Sequence, residues 1–158
     1  MPLMTPDDLA AAMADLPPLT PVLGLDLGTK TIGIAISDIT RQIASPLETI
    51  ARRKFTLDAA ALLAIASRVN ASLFILGLPL NMDGTEGPRA QSTRAFARNL
   101  AALAPIPIAY WDERLSTAVV QRMLIDADVS RARRAQVVDK LAAAYLLQSA
   151  LDSLKRAA

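Results

Sequence analysis

The chain has neither cysteine nor histidine among its 158 residues, and each absence excludes a kind of site. Without cysteine there can be no disulfide framework and no thiolate metal site. Without histidine the commonest general base and transition-metal ligand is missing. Any hydrolytic chemistry must therefore rest on carboxylates, hydroxyls and lysine. Carboxylates without imidazole or thiolate are hard ligands, and such ligands suit Mg²⁺ or Mn²⁺.

Long apolar runs are absent as well. No stretch approaches the roughly 18 uninterrupted apolar residues of a membrane-spanning helix, and the amino terminus lacks the basic and apolar pattern of a secretory signal. We therefore expect a cytoplasmic protein that does not enter a membrane. The hydrophobic content of 53 % is ample for one continuous core. Residues 1–20 are predicted to form an N-terminal tail, and residues 21–158 a single domain.

Apolar patterning predicts three strands followed by helices and strands in alternation. Short apolar or alternating runs bounded by turn residues predict the three strands, at 22–26, 32–37 and 47–50. The later elements are helix 57–69, strand 73–78, helix 88–103, strand 106–111, helix 116–125 and helix 135–154. This order predicts an α/β fold with a mixed five-stranded sheet flanked by helices. Three antiparallel strands followed by strands alternating with helices suit a ribonuclease H-like fold.

Acidic residues stand at strand ends and on one helix face. Asp26 ends the first predicted strand, where a carboxylate is costly to bury unless it binds a cation or has a partner. An ion pair with Lys30 across the following turn is the structural alternative. Asp112 and Glu113 follow the last predicted strand, and alternation sends them to opposite faces of the sheet. Only one of them can therefore lie on the same face of the sheet as Asp26.

A further acid lies in the final predicted helix. At helical spacing Asp139 aligns with Ala142, Ala143 and Leu146, so it faces the flank of the core. A carboxylate near a helix start is also favoured by the helix dipole alone. Three acids from two strand ends and one helix can share two divalent ions about 4 Å apart, which activate a water molecule for an in-line displacement.

Basic and polar side chains are candidates for holding a phosphate backbone. They lie in the first turn, in the loop after the fourth strand, beside Glu113 and before the final helix: Lys30, Asn81, Thr85, Arg114, Arg131, Arg133 and Arg134. The segment Arg52-Arg53-Lys54 is a second basic cluster. Such side chains position a backbone without reading sequence. Each can equally stabilise its own loop or, as for Glu113 with Arg114, form a surface ion pair.

Five motifs occur in one order along the chain. They are LDLGTKTIG at 25–33, ASPL at 44–47, GLPLNMDGT at 77–85, DERLST at 112–117 and DKLAA at 139–143. In this order they resemble the bacterial YqgF family, also called RuvX, over nearly all of residues 22–151. The first motif alone is also similar to the phosphate loop of actin-like and sugar-kinase ATPases. That architecture needs two such domains, and this chain has room for one.

The resemblance implies a function and a set of site residues. It implies that Asp26, Glu113 and Asp139 are the catalytic acids and hold Mg²⁺ or Mn²⁺, and that Glu113 rather than Asp112 points with Asp26. It implies a metal-dependent nuclease, a hydrolase acting on ester bonds, that processes the 5′ end of pre-16S rRNA in ribosome biogenesis. The expected partners are pre-16S rRNA and the pre-ribosomal particle.

Two alternatives to rRNA processing remain open at this stage. The family has been described by fold analogy as a Holliday junction resolvase, so a four-way DNA junction is the alternative substrate. A resolvase would need two symmetry-related sites, whereas an enzyme that trims RNA could act as a monomer, so both a monomer and a homodimer are compatible. A non-catalytic pre-ribosomal RNA-binding assembly factor is the other alternative. Three acids facing phosphate argue against it.

Overall fold

A short helix precedes three strands, and helices and strands alternate after them. The computed structural model of the chain describes residues 6–112 and 131–157, with side chains for 8–112 and 141–154. The elements are α1 (Pro6–Ala14), β1 (Leu23–Leu27), β2 (Thr31–Ser37), β3 (Ala44–Ala51), α2 (Phe55–Val69), β4 (Phe74–Leu78), α3 (Pro88–Ala101), β5 (Ile108–Asp112) and α4 (Arg131–Ala157). The helix predicted over 116–125 lies outside the described residues. None of the described helices is both long and apolar enough to cross a membrane.

The five strands form one mixed sheet in the order β3-β2-β1-β4-β5. β2 pairs antiparallel with both β1 and β3, whereas β4 pairs parallel with both β1 and β5. The predicted α/β arrangement, with three antiparallel strands followed by strands alternating with helices, is therefore confirmed. β1 lies at the centre of the sheet, and helices cover both of its faces.

β3 is longer than predicted because the edge of a sheet tolerates a proline. We expected this strand over 47–50, but it spans Ala44–Ala51. Pro46 pairs with Ala35 beside a register shift between Ile34 and Ala35. Proline has no N–H to donate to a neighbouring strand. On an edge strand one side of the backbone faces solvent, so a proline there loses no hydrogen bond of the sheet. The apolar pattern alone therefore missed the first residues of the strand.

Side chains alternate across the sheet and build two apolar layers. One layer lies between the sheet and helices α2 and α3, and its fully buried members include Leu25 and Leu62. The other lies between the sheet and helices α1 and α4, and includes Leu147. Successive residues of β1 therefore face different helices. Because Leu25 faces α2 and α3, its neighbours Gly24 and Asp26 belong to the face covered by α4.

Helix α4 lies directly against β1 at Gly24. A Cβ added there would lie 2.9 Å from Leu147 Cβ and 3.2 Å from the carbonyl oxygen of Ala143. Further along the helix, the side chain of Gln148 accepts a hydrogen bond of 2.8 Å from the backbone N–H of Ala44. Ala44 is at the end of the sheet where β1 begins. α4 therefore runs opposite to β1, and its N-terminal half lies toward the C-terminal end of β1.

We expect Gly24→Ala to lower the free energy of unfolding by about 1–3 kcal/mol, the usual cost of forcing extra atoms into a packed layer. The added methyl would meet Leu147 Cβ and a backbone carbonyl, neither of which is the free end of a flexible side chain. Urea unfolding measures the change.

Gly87→Ala is the control for this variant. A Cβ at Gly87 would lie 3.4 Å from its nearest neighbour, the side-chain oxygen of Asn81, which is an ordinary contact. We expect a change of less than about 1 kcal/mol, because a slightly poorer helix cap opposes the reduced entropy of the unfolded chain. Equal losses in the two variants would contradict the close approach of α4 to Gly24.

The segment before β1 packs into the domain. Leu9 of α1 is completely buried and Met13 is 7 % exposed, and both lie in the layer beside α4. Arg41, in the turn between β2 and β3, donates hydrogen bonds to the carbonyl oxygens of Pro17 at 2.5 Å and of Thr20 at 2.8 Å. Residues 6–20, part of the expected tail, are thus held to the rest of the chain by apolar packing and by Arg41.

Candidate active site

Asp26 is the one charged residue of the central strand β1. It is half-buried and stands opposite Gly33 of β2. Because Leu25 and Leu27 are packed in the layer of α2 and α3, Asp26 faces the side of the sheet that α4 covers. Its position next to the last residue of β1 places the carboxylate near the edge where the parallel strands end. The structure therefore places Asp26 near the end of the first strand, as predicted, and its role as a metal ligand stays a prediction.

Asp112 lies at the same edge of the sheet but on the other face. It is the last residue of β5 and pairs in register with Leu78 of β4. Tyr110, two residues earlier, packs in the layer of α2 and α3, so alternation gives Asp112 the face opposite to that of Asp26. This geometry disfavours Asp112 as a partner of Asp26. The predicted alternatives Glu113 and Arg114 lie outside the described residues.

The backbone of α4 brings position 139 to the Asp26 end of the sheet. Residue 139 lies one helical turn before Ala143, on the helix face that crosses β1 at Gly24. Since α4 runs opposite to β1, one turn back along the helix moves toward Asp26. The described helix includes positions 131, 134 and 139. The side chains predicted there, of Arg131, Arg134 and Asp139, lie outside the described part of the chain.

The chemistry of the available donors fits a hard divalent cation. The chain contains no histidine or cysteine, so the protein side chains that can bind a metal in this region offer oxygen atoms only. Mg²⁺ and Mn²⁺ prefer such oxygen ligands. Within the described ranges no three acids come close enough to form a metal cluster. Of the predicted trio only Asp26 has its side chain in those ranges.

The loop after β4 is held together by its own side chains. Asn81 Nδ2 donates a hydrogen bond to Thr85 Oγ1 at 2.9 Å, and Thr85 Oγ1 donates one to Asp83 Oδ1 at 2.6 Å. The backbone closes the same turn, because Asn81 N–H donates to the Thr85 carbonyl at 2.9 Å. Both predicted phosphate contacts in this loop are exposed. Their role in stabilising the loop is therefore seen directly, and a phosphate contact stays a prediction.

Arg94 of α3 forms an ion pair with this loop and also contacts a ring of β5. Arg94 of α3 donates hydrogen bonds of 2.6 and 2.9 Å to the carboxylate oxygens of Glu86. These bonds lower the pKa of Glu86 and raise the pKa of Arg94. The Arg94 guanidinium also lies 4.8 Å from the centre of the Tyr110 ring, and burial raises the pKa of that phenol. The loop that carries Asn81 and Thr85 is thus fixed against the end of the sheet.

Asp38 is a structural carboxylate whose pKa is lowered by hydrogen bonds. A hydrogen bond from the Thr40 hydroxyl, followed by those from the backbone N–H groups of Ile43 and Gln42, lowers the pKa of Asp38 to about 2. Asp38 lies in the turn between β2 and β3, at the opposite end of the sheet from Asp26. Because its folded pKa is below the ordinary 3.8, its contribution to stability is present above that pH and is lost as the pH falls toward 2.

Two arginines hold the turn after Asp26, and of these only Arg52 belongs to a basic cluster noted in the sequence. Arg52 donates a hydrogen bond of 2.8 Å to the carbonyl oxygen of Gly28. Arg89 donates one of 3.3 Å to the carbonyl oxygen of Leu27. For Arg89 a sequence signal existed, because a cation in the first turn of a helix is disfavoured by the helix dipole and so suggests another role.

Residues 20–153 match the family model described as "RuvX: Holliday junction resolvase". The chain belongs to the RuvX family. The resemblance drawn from the five motifs is therefore confirmed. The matched range includes every candidate acid and every candidate phosphate contact predicted from the sequence.

Relatives of this RuvX family member are similar to it over most of their length. A protein of Methylocella silvestris is 60 % identical over 148 residues, which cover 91 % of this chain and 92 % of the relative. One of Rhodospirillum rubrum is 62 % identical over 142 residues, covering 89 % and 88 %. Each bears the name "Putative pre-16S rRNA nuclease".

Solved structures of RuvC share the fold of this RuvX family member. Thermus thermophilus RuvC in complex with a Holliday junction substrate superposes with a TM-score of 0.51 at 14 % identity, over 84 % of this chain and 93 % of that one. The structure of Thermus thermophilus RuvC without a named substrate gives the same score and identity. At this identity the likeness concerns the fold alone. The predicted ribonuclease H-like fold is confirmed.

Proposed function

We propose that this RuvX family member is a metal-dependent nuclease, a hydrolase acting on ester bonds, that processes the 5′ end of pre-16S rRNA in ribosome biogenesis. The observation that carries the proposal is the placement of Asp26, a half-buried carboxylate at the C-terminal end of the central strand on the face of α4. The names of the relatives support the substrate. Action on this RNA would occur in the cytoplasm and on the pre-ribosomal particle.

Asp26, Glu113 and Asp139 are the residues that would hold Mg²⁺ or Mn²⁺. Such ions supply an activated water molecule and stabilise the leaving oxygen of a phosphodiester. The role of the protein is to hold carboxylate oxygens close together at one site. Asp26 is held by the pairing of β1 with β2, and the contact of α4 with Gly24 supports Asp139, because it brings position 139 to the same end of the sheet.

Phosphate contacts around these acids would hold the substrate in place. The proposed set combines exposed polar side chains of two loops with cations near α4: Lys30, Asn81, Thr85, Arg114, Arg131 and Arg134. Lys30 is exposed in the turn that directly follows β1, and the loop of Asn81 leads into the helix whose Arg89 contacts Leu27. Contacts of this kind position a backbone without reading sequence. A monomer suffices for this activity, although a homodimer is compatible with it.

A four-way DNA junction is the second candidate substrate. The description of the matched family model as a Holliday junction resolvase favours it. Resolution requires two cuts at symmetry-related positions, so this function would need a homodimer with two sites. The non-catalytic assembly factor would need only the basic residues and would gain nothing from the acids.

Cleavage of both substrates side by side tests the proposal. A precursor 16S 5′-leader RNA and a four-way DNA junction are incubated with the full chain, with and without Mg²⁺ or Mn²⁺. Metal-dependent cutting of the RNA alone is the expected result. Cutting of the junction alone would replace rRNA processing by resolution. Binding of the RNA with no cutting of either substrate would favour the assembly factor and contradict the nuclease.

A further inference from the structure

We propose that the substrate backbone crosses a second basic surface on the α2 and α3 side of the candidate active site. We call this surface the basic rim and define it as Lys30, Arg52, Arg53, Lys54 and Arg89. The inference rests on the proposed function, because it names a further contact surface for the same nucleic acid. The phosphate contacts proposed above and the basic rim share only Lys30.

The basic rim surrounds the turn that directly follows Asp26. The backbone N–H of Arg52 donates a hydrogen bond of 2.8 Å to the carbonyl of Lys30, and its guanidinium donates one of 2.8 Å to the carbonyl of Gly28. Arg89 reaches the carbonyl of Leu27 at 3.3 Å. The carbonyls that Arg89 and Arg52 bind therefore belong to residues one and two positions after Asp26. A nucleic-acid strand held at Asp26 would pass beside these arginines.

The segment from Arg52 to Lys54 is held rigidly before any ligand binds. The backbone N–H of Arg53 donates to both carboxylate oxygens of Asp58, at 2.9 and 3.2 Å. Asp58 is only 3 % exposed. The carbonyl of Lys54 accepts hydrogen bonds of 3.0 Å from the backbone N–H groups of Leu57 and Asp58. A backbone fixed in this way presents its cations with little further loss of entropy on binding.

The side chains of the rim divide into anchored and exposed cations. Arg52 is anchored, because besides its bond to Gly28 its guanidinium lies 5.6 Å from the centre of the Phe96 ring. Arg53 and Lys54 are exposed. Two arginines outside the rim are paired with carboxylates, Arg94 with Glu86 and Arg68 with Glu48. The hydrogen bonds of Arg52 and Arg89 go to backbone carbonyls rather than to carboxylates.

Cations that are anchored on backbone carbonyls or exposed to solvent beside an active site suit a polyanion. A guanidinium keeps several N–H donors after making one bond to a carbonyl, and its planar shape matches phosphate oxygens. Each phosphate neutralised by a lysine or arginine releases counterions, which makes binding depend on salt. The rim therefore predicts a measurable share of the affinity and of its salt dependence.

The test is the binding of a labelled single-stranded RNA of about 20 nucleotides, without metal, by the full chain and by Arg53→Gln/Lys54→Gln. Both side chains are exposed, so the variant should melt at about the same temperature as the unaltered protein. We expect affinity to fall about tenfold, and the slope of log K against log salt to decrease in size by about 1.4, for two phosphates lost.

Arg98→Gln is the control for losing a positive charge away from the rim, because Arg98 is exposed in the last turn of α3, far along the helix from Arg89. It should leave affinity within about twofold of the unaltered protein.

A DNA of the same sequence should lose as much affinity as the RNA in the double variant, since phosphates are common to both. Unchanged affinity and slope in the double variant, or an equal loss in Arg98→Gln, would contradict the proposal that nucleic acid binds the basic rim. Failure of the cleavage experiment would leave this binding result intact, so the two failures can be told apart.

Discussion

Asp26→Asn is expected to lower the rate of cleavage by at least about a hundredfold, because it removes a charged oxygen on which stabilisation of the reacting phosphodiester depends. The substitution preserves the size of the side chain and removes no phosphate contact. Affinity for the RNA without metal should therefore stay within about twofold of the unaltered protein. Single-turnover cleavage and metal-free binding, measured on the same preparation, check the two parts separately.

Asp112→Asn is the matched control for this variant. Asp112 ends a strand at the same edge of the sheet, but on the face of Tyr110 rather than the face of α4. We expect it to reduce cleavage by less than about tenfold, since it is not placed to act with Asp26. Equal losses in the two variants would contradict the assignment of faces. Unfolding of Asp26→Asn would instead support the structural ion pair with Lys30.

Leu9→Ala is expected to lower the free energy of unfolding by about 2–5 kcal/mol, the cost of losing apolar contact and leaving a cavity. Leu9 is completely buried, in the apolar layer that contains residues of α4. Unfolding by urea, followed by circular dichroism, measures the loss. A protein of this size has a total stability of about 5–15 kcal/mol, so the effect should be plain.

Leu19→Ala is the control, because Leu19 lies in the same N-terminal segment with 67 % of its surface exposed. A surface substitution of this kind should change stability by less than about 0.5 kcal/mol. A loss for Leu9→Ala no larger than that of the control would mean that α1 is not part of the folded core. Residues 1–20 would then be a separable tail, as the sequence had suggested.

The sheet could be predicted because its signals are local. Isoleucine alternates with small residues in β2, and turn residues bound the short apolar strands on either side. The packing of α1 could not be predicted in the same way. Leu9 and Met13 do lie four residues apart on one helix face. The surface they cover is built partly from α4, more than a hundred residues later in the chain, and no local pattern shows that contact.

The candidate site could be predicted only as a set of residue types near strand ends. Alternation was enough to send Asp112 and Glu113 to opposite faces of the sheet. The position of α4 depends on Gly24, which lets Ala143 and Leu147 approach the strand, and this is a tertiary contact. The anchoring of the turn after Asp26 by arginines also escaped prediction, because the acceptors are backbone carbonyls that the sequence does not distinguish.

The most direct test of the account is to locate bound Mn²⁺ by NMR on the ¹⁵N-labelled full chain. A paramagnetic ion broadens the amide signals of residues near it, so no variant is needed. We predict that substoichiometric Mn²⁺ first broadens the signals of residues 25–28, 77–78 and 111–112, at the C-terminal ends of β1, β4 and β5. The turn at residues 38–43, at the other end of the sheet, should keep its signals. Broadening centred on Asp38 or on another acid away from Asp26, or no broadening at all, would contradict a metal-dependent site at Asp26.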